Sequence, residues 1–458
     1  MKKIILVIIV ILTNLSIYAQ DISGKWNGIL KVQGVQLRLV FNIDQTEKGY
    51  SSTMDSPEQG VKGLPVTSTS YENSILKLEL SNAGIQYEGT LDKNNAFVGT
   101  FKQGGQSFPL VLTKEEIEKE KVLRPQEPTK PYPYYSEEVK FENPKDKILL
   151  AGTLTLPEKS GKFPAVILIS GSGPQNRDEE LLGHKPFLVL SDYLTTNGIA
   201  VLRFDDRGTA KSTGDFKNAT TFDFATDVEY AIKYLQTRKE INKNSIGLIG
   251  HSEGGIIASI IASKNKNIDF IVLIAGSTLR GDKLLLLQKH KIETQMGINK
   301  QLIETNQQIF ADAYEIILNE QIKQKTLSDT LSNYFTSKYG KALPENQKEA
   351  LINQLTSSWM INFIRLDPAI YLKKVSCPIL AINGDKDLQV PSKENLKIIE
   401  NIFKNSKNTN VEIKELENLN HLFQECQTGL PNEYETIEQT ISPIVLEIIS
   451  DWIMDKTN

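Results

Sequence analysis

Apolar residues in the second two thirds of this chain come in short, nearly unbroken runs separated by longer amphipathic stretches. Residues 163–170, 270–275 and 377–384 are almost continuously Val, Ile, Leu and Ala, and strand-like runs recur at 199–204 and 245–250. Runs of that length bounded by turn residues predict strands buried on both faces, the form that parallel sheets take. Helix-compatible stretches such as 256–262 lie between them. Strand and helix alternate, so a mostly parallel sheet with helices on both faces is expected. Two more amphipathic runs, near 138–142 and 148–157, open the region and read as antiparallel edge strands.

The first hundred residues follow a different rule. Residues 35–43, 76–80 and 85–91 alternate apolar and polar with period two. Turn signals separate them at Gln33-Gly34, at Lys93-Asn94-Asn95 and at Gly104-Gly105. Alternation means one buried and one wet face, so a small all-β barrel or sandwich is predicted over 20–113. Two readings of that unit stand: a binding module, or a structural appendage. A charged stretch at 114–121 with a helical pattern leads into a proline-rich segment, and 114–136 reads as a semi-rigid linker to an α/β unit over 137–458. Within that unit, about a hundred residues (277–375) separate the sixth and seventh strands. They are polar and helical in pattern, with apolar positions at Ile309, Tyr314, Ile317, Leu351, Trp359 and Phe363. A connection that long is not a plain crossover.

Composition then sets the compartment. Lys2 and Lys3 precede a short apolar run, and Ala19 offers a small residue for cleavage, the form of a leader spanning 1–19. The run is well short of the roughly 20 apolar residues a membrane span needs, so no stable span is expected. Export to a bacterial periplasm or beyond follows. Loss of the two leader lysines takes the formal charge from −4 to −6, which argues against nucleic acid or an anionic membrane as a partner. Cys377 and Cys426 are the only cysteines; they form a disulfide or remain two buried thiols. Four histidines and two cysteines share no ligand spacing, so no metal and no cofactor are expected.

One motif carries chemistry. A strand-like run enters Gly250-His251-Ser252-Glu253-Gly254, and a helical pattern follows. That strand–Gly-x-Ser-x-Gly–helix context is the form of a nucleophile elbow, a strained turn that lifts a serine Oγ clear of the sheet. Glycine two residues before and after Ser252 suits the crowding there. A serine needs a base. His251 lies inside the elbow and reads as packing, His290 reads as a solvated helix face, and His184 sits in a loop of uninformative context. His421 follows a strand-like run at 411–416, the place for the base in chain order serine, acid, histidine. Asp385 and Asp387, on the loop after 377–384, both qualify by proximity to orient it.

With these residues in view, the sequence resembles the α/β-hydrolase superfamily over roughly 137–455, most closely exported bacterial carboxylesterases with an N-terminal β domain and a helical cap. The resemblance implies Asp387 as the acid, because Gly384-Asp385-Lys386-Asp387-Leu388-Gln389-Val390-Pro391 fits the Gly-x-x-Asp-x-x-Val-Pro turn of those enzymes. It implies an oxyanion hole from the amide of Glu253 and that of Ser172, with Gly171 as the neighbouring candidate, and it makes 277–375 the cap. Gly171-Ser172-Gly173 is not a dinucleotide loop, since no third glycine follows at the required spacing. The charged cluster 203–208 either touches substrate or, as is usual in such enzymes, braces the loops around the site. The expected function is hydrolysis of short to medium acyl esters of small molecules through Ser252, His421 and Asp387 and an acyl-enzyme. A serine peptidase on the same fold is the alternative, and a binding protein with an inert hydrolase domain is a third possibility. Oligomeric state does not follow from these residues.

Overall fold

The computed structural model describes residues 21–32, 35–47, 49–57, 61–103, 106–116, 123–340 and 343–457. The expected leader, the turns at Gln33-Gly34 and Gly104-Gly105, and most of the charged stretch at 114–121 lie outside those residues. Its described start, 114–116, is bent rather than helical. The chain divides into two compact units, one up to residue 121 and one from 122 on.

The first unit is antiparallel throughout. Strands β1 (Gly24–Val32), β2 (Val35–Thr46), β3 (Gly49–Ser56) and β4 (Val61–Pro65) form one sheet. β5 (Ser68–Glu72), β6 (Ile75–Leu80), β7 (Ile85–Leu91), β8 (Phe97–Gln103) and β9 (Gln106–Leu112) form the other. Along β6 and β7 every second residue is buried, as the period-two pattern requires. The inward set, with Trp26, Phe41, Leu76, Tyr87 and Phe97, makes one shared core. Asn27 and Thr113 exchange backbone hydrogen bonds of 2.7 and 2.8 Å, which joins the outer edge of the first sheet to the end of the second.

The second unit is an eight-stranded sheet. It contains β10 (Tyr135–Asn143), β11 (Ile148–Leu156), β12 (Phe163–Ile169), β13 (Ala200–Phe204), β14 (Ile241–His251), β15 (Ile271–Ile274), β16 (Ile379–Gly384) and β17 (Val411–Leu416), in the order β10-β11-β13-β12-β14-β15-β16-β17. The first two strands pair antiparallel and β12 to β17 run parallel. Strands such as β16 are buried at every residue, so the unbroken apolar runs mark positions covered on both faces. Helices α1 (Pro186–Thr196) and, at the C-terminus, α11 (Pro443–Thr457) cover one face. Helices α2 (Thr221–Thr237), α3 (Glu253–Lys264) and, later in the chain, α10 (Ser392–Phe403) cover the other.

Between β15 and β16 the described residues of the insertion form six α-helices: α4 (Gly281–Gln295), α5 (Lys300–Leu318), α6 (Gln324–Tyr339), α7 (Glu345–Leu355), α8 (Ser358–Arg365) and α9 (Ala369–Leu372). Ile309, Tyr314 and Ile317 sit in its own core, which Leu351 and Trp359 flank. Residues 123–134, read from sequence as part of the linker, lie along this second unit. Arg124 donates to the carbonyls of Glu435 and Ile437, each at 2.7 Å, and Gln126 donates to that of Ile441 at 2.7 Å. No helix among the described residues is long and apolar enough to cross a membrane.

Candidate active site

The parallel strands β12, β14, β16 and β17 end on the same edge of the sheet, so the loops that follow them converge there. β14 runs directly into Ser252, whose φ of 53° and ψ of −115° are rare for a residue with a Cβ, and α3 begins at the next residue. The turn is pinned at Ser252, whose N–H donates to Ile274 O at 3.0 Å. The flanking glycines are required. A Cβ on Gly250 would lie 2.1 Å from Gly254 O, and one on Gly254 would lie 2.1 Å from Ile169 O.

After β16 the chain places Asp387 in a buried turn and Asp385 on the surface, where its Oδ1 accepts from Asn418 N. Asp387 Oδ1 accepts the amides of Gln389 and Val390, both at 2.8 Å, which leaves Oδ2 facing Nδ1 of His421 at 2.8 Å. His421 follows β17 on a loop held from inside. Asn420 is fully buried, and its Oδ1 accepts from Leu422 N at 2.9 Å and Gln424 N at 3.0 Å. His184 lies behind that loop, away from Ser252, with its ring nitrogens on Thr440 Oγ1 and Tyr434 O; burial lowers its pKa below the ordinary imidazole value. His290 is exposed on α4.

The loop after β12 passes close to the elbow, since a Cβ on Gly171 would be 3.2 Å from that of Ser252. The Gly171 N–H is already committed: it donates to Glu179 Oε1 at 2.6 Å. Ser172 is the next amide along the loop. Asp206 braces the same loop, accepting from Ser170 Oγ at 2.9 Å and Gln175 N at 3.0 Å. Burial pushes its carboxyl up to about 8 against those two donors. Arg177 and Arg207 pair with the neighbouring Asp205 and Asp227, so the 203–208 cluster braces loops.

Glu253 is the least expected group. It is 3 % exposed, and its carboxyl accepts from Thr221 Oγ1 at 2.6 Å and from the Trp359 indole of the cap at 2.9 Å. Burial raises its pKa above the usual carboxylate value although Thr221, Trp359 and Ser172 all donate to it. Ser252 and His421 line one pocket of about 220 Å³. Leu284, Leu285 and Gln288 of α4 and Trp359 and Phe363 of α8 form its roof, and Gln175 and Gln389 add amides. The sequence marked Trp359 and Phe363 only as apolar cap positions. It offered no signal for Glu179, which one loop brings against His251, beyond a run of charge at 177–180. Cys377 and Cys426 are not bonded to each other, and burial raises both thiols, to about 12 and about 11. Among the described residues no cluster of His, Cys, Asp and Glu is placed to hold a metal.

A nucleophile elbow between parallel strands, an acid after the seventh strand and a histidine after the eighth, all under a helical cap, define the α/β-hydrolase class. Within that class the chain belongs to the family described as serine aminopeptidase, S33, whose model matches residues 186–426. It is 26 % identical over 306 residues to Esterase EstD of Thermotoga maritima, covering 67 % of this chain and 65 % of that protein. It is 26 % identical over 168 residues to human acyl-coenzyme A thioesterase 1, covering 36 % of each. The chain thus spans less than two thirds of the length of either relative. Among solved structures it is similar to the Pyrococcus furiosus esterase Pf2001, at 16 % identity and a TM-score of 0.41, over 70 % of this chain and 93 % of that one.

Proposed function

We propose that this chain is a serine carboxylesterase acting on short to medium acyl esters through an acyl-enzyme. The observation that carries the reading is the buried Asp387–His421 contact of 2.8 Å facing the pocket in which Ser252 sits on its elbow. In this mechanism Ser252 Oγ attacks the ester carbonyl carbon while His421 Nε2 takes the hydroxyl proton. Asp387 keeps the remaining His421 proton on Nδ1 and stabilises the imidazolium. The tetrahedral oxyanion is held by the amides of Glu253 and Ser172, the Gly171 amide being occupied by Glu179. The alcohol leaves with the proton from His421. Water then attacks the acyl-enzyme, giving its proton to His421, and the acid departs as Ser252 is reprotonated.

The pocket wall supports a neutral ester over the alternatives. Among the described residues that line it there is no lysine or arginine, the groups that would pair with the phosphates of an acyl-coenzyme A. A peptide with a free amino terminus would need an available carboxylate. Among the described lining residues the carboxylate is Glu179, whose Oε1 receives Gly171 N and faces His251. The reading includes export, by the leader pattern at 1–19. The test is turnover of a p-nitrophenyl ester series from acetate to laurate, with Ser252→Ala and aminoacyl anilides alongside. Ester turnover abolished in the variant, with anilides untouched, is expected. Anilide cleavage above ester cleavage would establish a peptidase instead.

A further inference from the structure

His251 has hydrogen-bond acceptors at both ring nitrogens. Nδ1 lies 2.9 Å from Glu179 Oε1, and Nε2 lies 3.0 Å from the carbonyl oxygen of His421. A neutral imidazole has one N–H and leaves one lone pair, so it satisfies one of these acceptors and repels the other. A carbonyl only accepts. Glu179 Oε1 also receives the Gly171 N–H at 2.6 Å, which suits a carboxylate oxygen and not a carboxylic hydroxyl. Both groups are buried, at 6 % and 5 % exposure, where an unpaired charge is costly and a paired one is tolerated.

We propose that Glu179 and His251 form a buried carboxylate–imidazolium pair that acts as a positioning device for the site. The hydrogen-bonded chain runs from Gly171 N–H through Glu179 and His251 to the backbone of His421. It ties together the loop after β12, the elbow, and the loop after β17, the three segments that carry the oxyanion donors, Ser252 and the base in the proposed reaction. The positioning role therefore rests on that reaction, while the protonation state does not.

The groups facing His251 are Glu179 at Nδ1, Asp387 nearby, and the His421 ring, whose centroid is 4.7 Å away. Burial pulls the His251 pKa down, and the two carboxylates with the two hydrogen bonds outweigh it, so the net shift is upward. The pair is neutral overall, so it does not oppose the positive charge that His421 takes on during turnover. Loss of the His251 proton at alkaline pH places a lone pair against the His421 carbonyl or against Glu179, so catalysis weakens on the alkaline side.

The test uses the mature chain with nitrogen-15 in its imidazole rings. There are four histidines, and His251→Asn identifies the His251 signals by their loss. Both His251 nitrogens are expected to carry protons at neutral pH, where an ordinary imidazole is mostly neutral, and Glu179→Gln is expected to release one of them. In ester turnover Glu179→Gln should lower kcat roughly 10–100-fold, the range seen when an outer partner that orients a metal ligand is removed. Glu179→Asp, which keeps the charge, should recover part of that loss. A single proton on the His251 ring at neutral pH overturns the proposal, and so does a folded Glu179→Gln enzyme of unchanged kcat. Should Glu179→Gln not fold, the wild-type spectrum decides, together with Glu179→Asp, which must still show a doubly protonated ring. The spectrum needs no substrate, so a doubly protonated His251 in a protein inert to esters would defeat the esterase reading and leave the ion pair standing.

Discussion

The indole N–H of Trp359 donates to both carboxylate oxygens of Glu253, at 2.9 and 3.1 Å, joining the cap to the residue that follows Ser252. The two residues are 106 positions apart. The contact sets the height of the cap above the elbow and places an aromatic face in the pocket wall. Trp359→Phe keeps most of the apolar surface and removes the donor, leaving a buried carboxyl with fewer partners. The expected cost is about 1–3 kcal/mol of unfolding free energy, together with a change in KM that depends on acyl length. Denaturant melts and the p-nitrophenyl series measure both; an unchanged chain-length profile would mean that Trp359 does not shape the pocket.

Asp387→Asn should leave the fold intact and lower ester kcat by about 10⁴-fold. The Asn Oδ1 can still accept the amides of Gln389 and Val390, which turns its NH₂ toward His421 Nδ1. Nδ1 must then accept, and the proton moves to Nε2, where the base is needed. Stopped-flow labelling by a fluorophosphonate probe reads the loss directly, and labelling at the wild-type rate would remove Asp387 from its assigned role.

Gly254→Ala tests the elbow. The added methyl would lie 2.1 Å from Ile169 O, a backbone atom in a central strand, so the neighbour cannot rotate away. Destabilisation of at least about 1–3 kcal/mol is expected from overpacking, with loss of probe labelling even in molecules that remain folded. A variant with wild-type melting temperature and labelling would show that the turn is looser than its geometry implies.

Asp206 should make stability depend on pH. Its carboxyl is held at about 8 in the folded chain, well above the ordinary value of 3.8. A raised folded value means that the contribution is fully present below about pH 4 and is lost as pH rises through about 8. With Gln175 N still donating to its oxygen, an Asn at 206 can point its NH₂ at Ser170 Oγ, which can accept as the neutral acid's hydroxyl would require, so Asp206→Asn should be close to wild type in stability near pH 7. It should also flatten the alkaline decline seen in urea melts across that window. A large loss for Asp206→Asn at neutral pH would mean that the group is ionised there.

The parts of this protein that were legible in its sequence are those written in neighbouring residues. Unbroken apolar runs announced the strands of the parallel sheet, and period-two alternation announced β6 and β7 to within a residue. Glycines at 250 and 254 announced a turn too tight for a side chain. Asp387 was separable from Asp385 only by resemblance, because proximity in sequence favoured neither; the fold buries one and leaves the other in solvent. His251 read as packing, because nothing beside it in the chain reveals a carboxylate 72 positions away.

Sequence alone determined the class of fold, the order of its elements and the kind of chemistry available, since period, turn strain and residue type act over a few adjacent positions. Tertiary structure decided which groups meet. It set Glu179 and the His421 carbonyl on the two sides of His251, drew Trp359 down onto Glu253, and laid 123–134 along the second unit. Such contacts depend on how loops converge at one sheet edge and how burial changes the charge each group can hold. Neither quantity exists until the chain has closed upon itself.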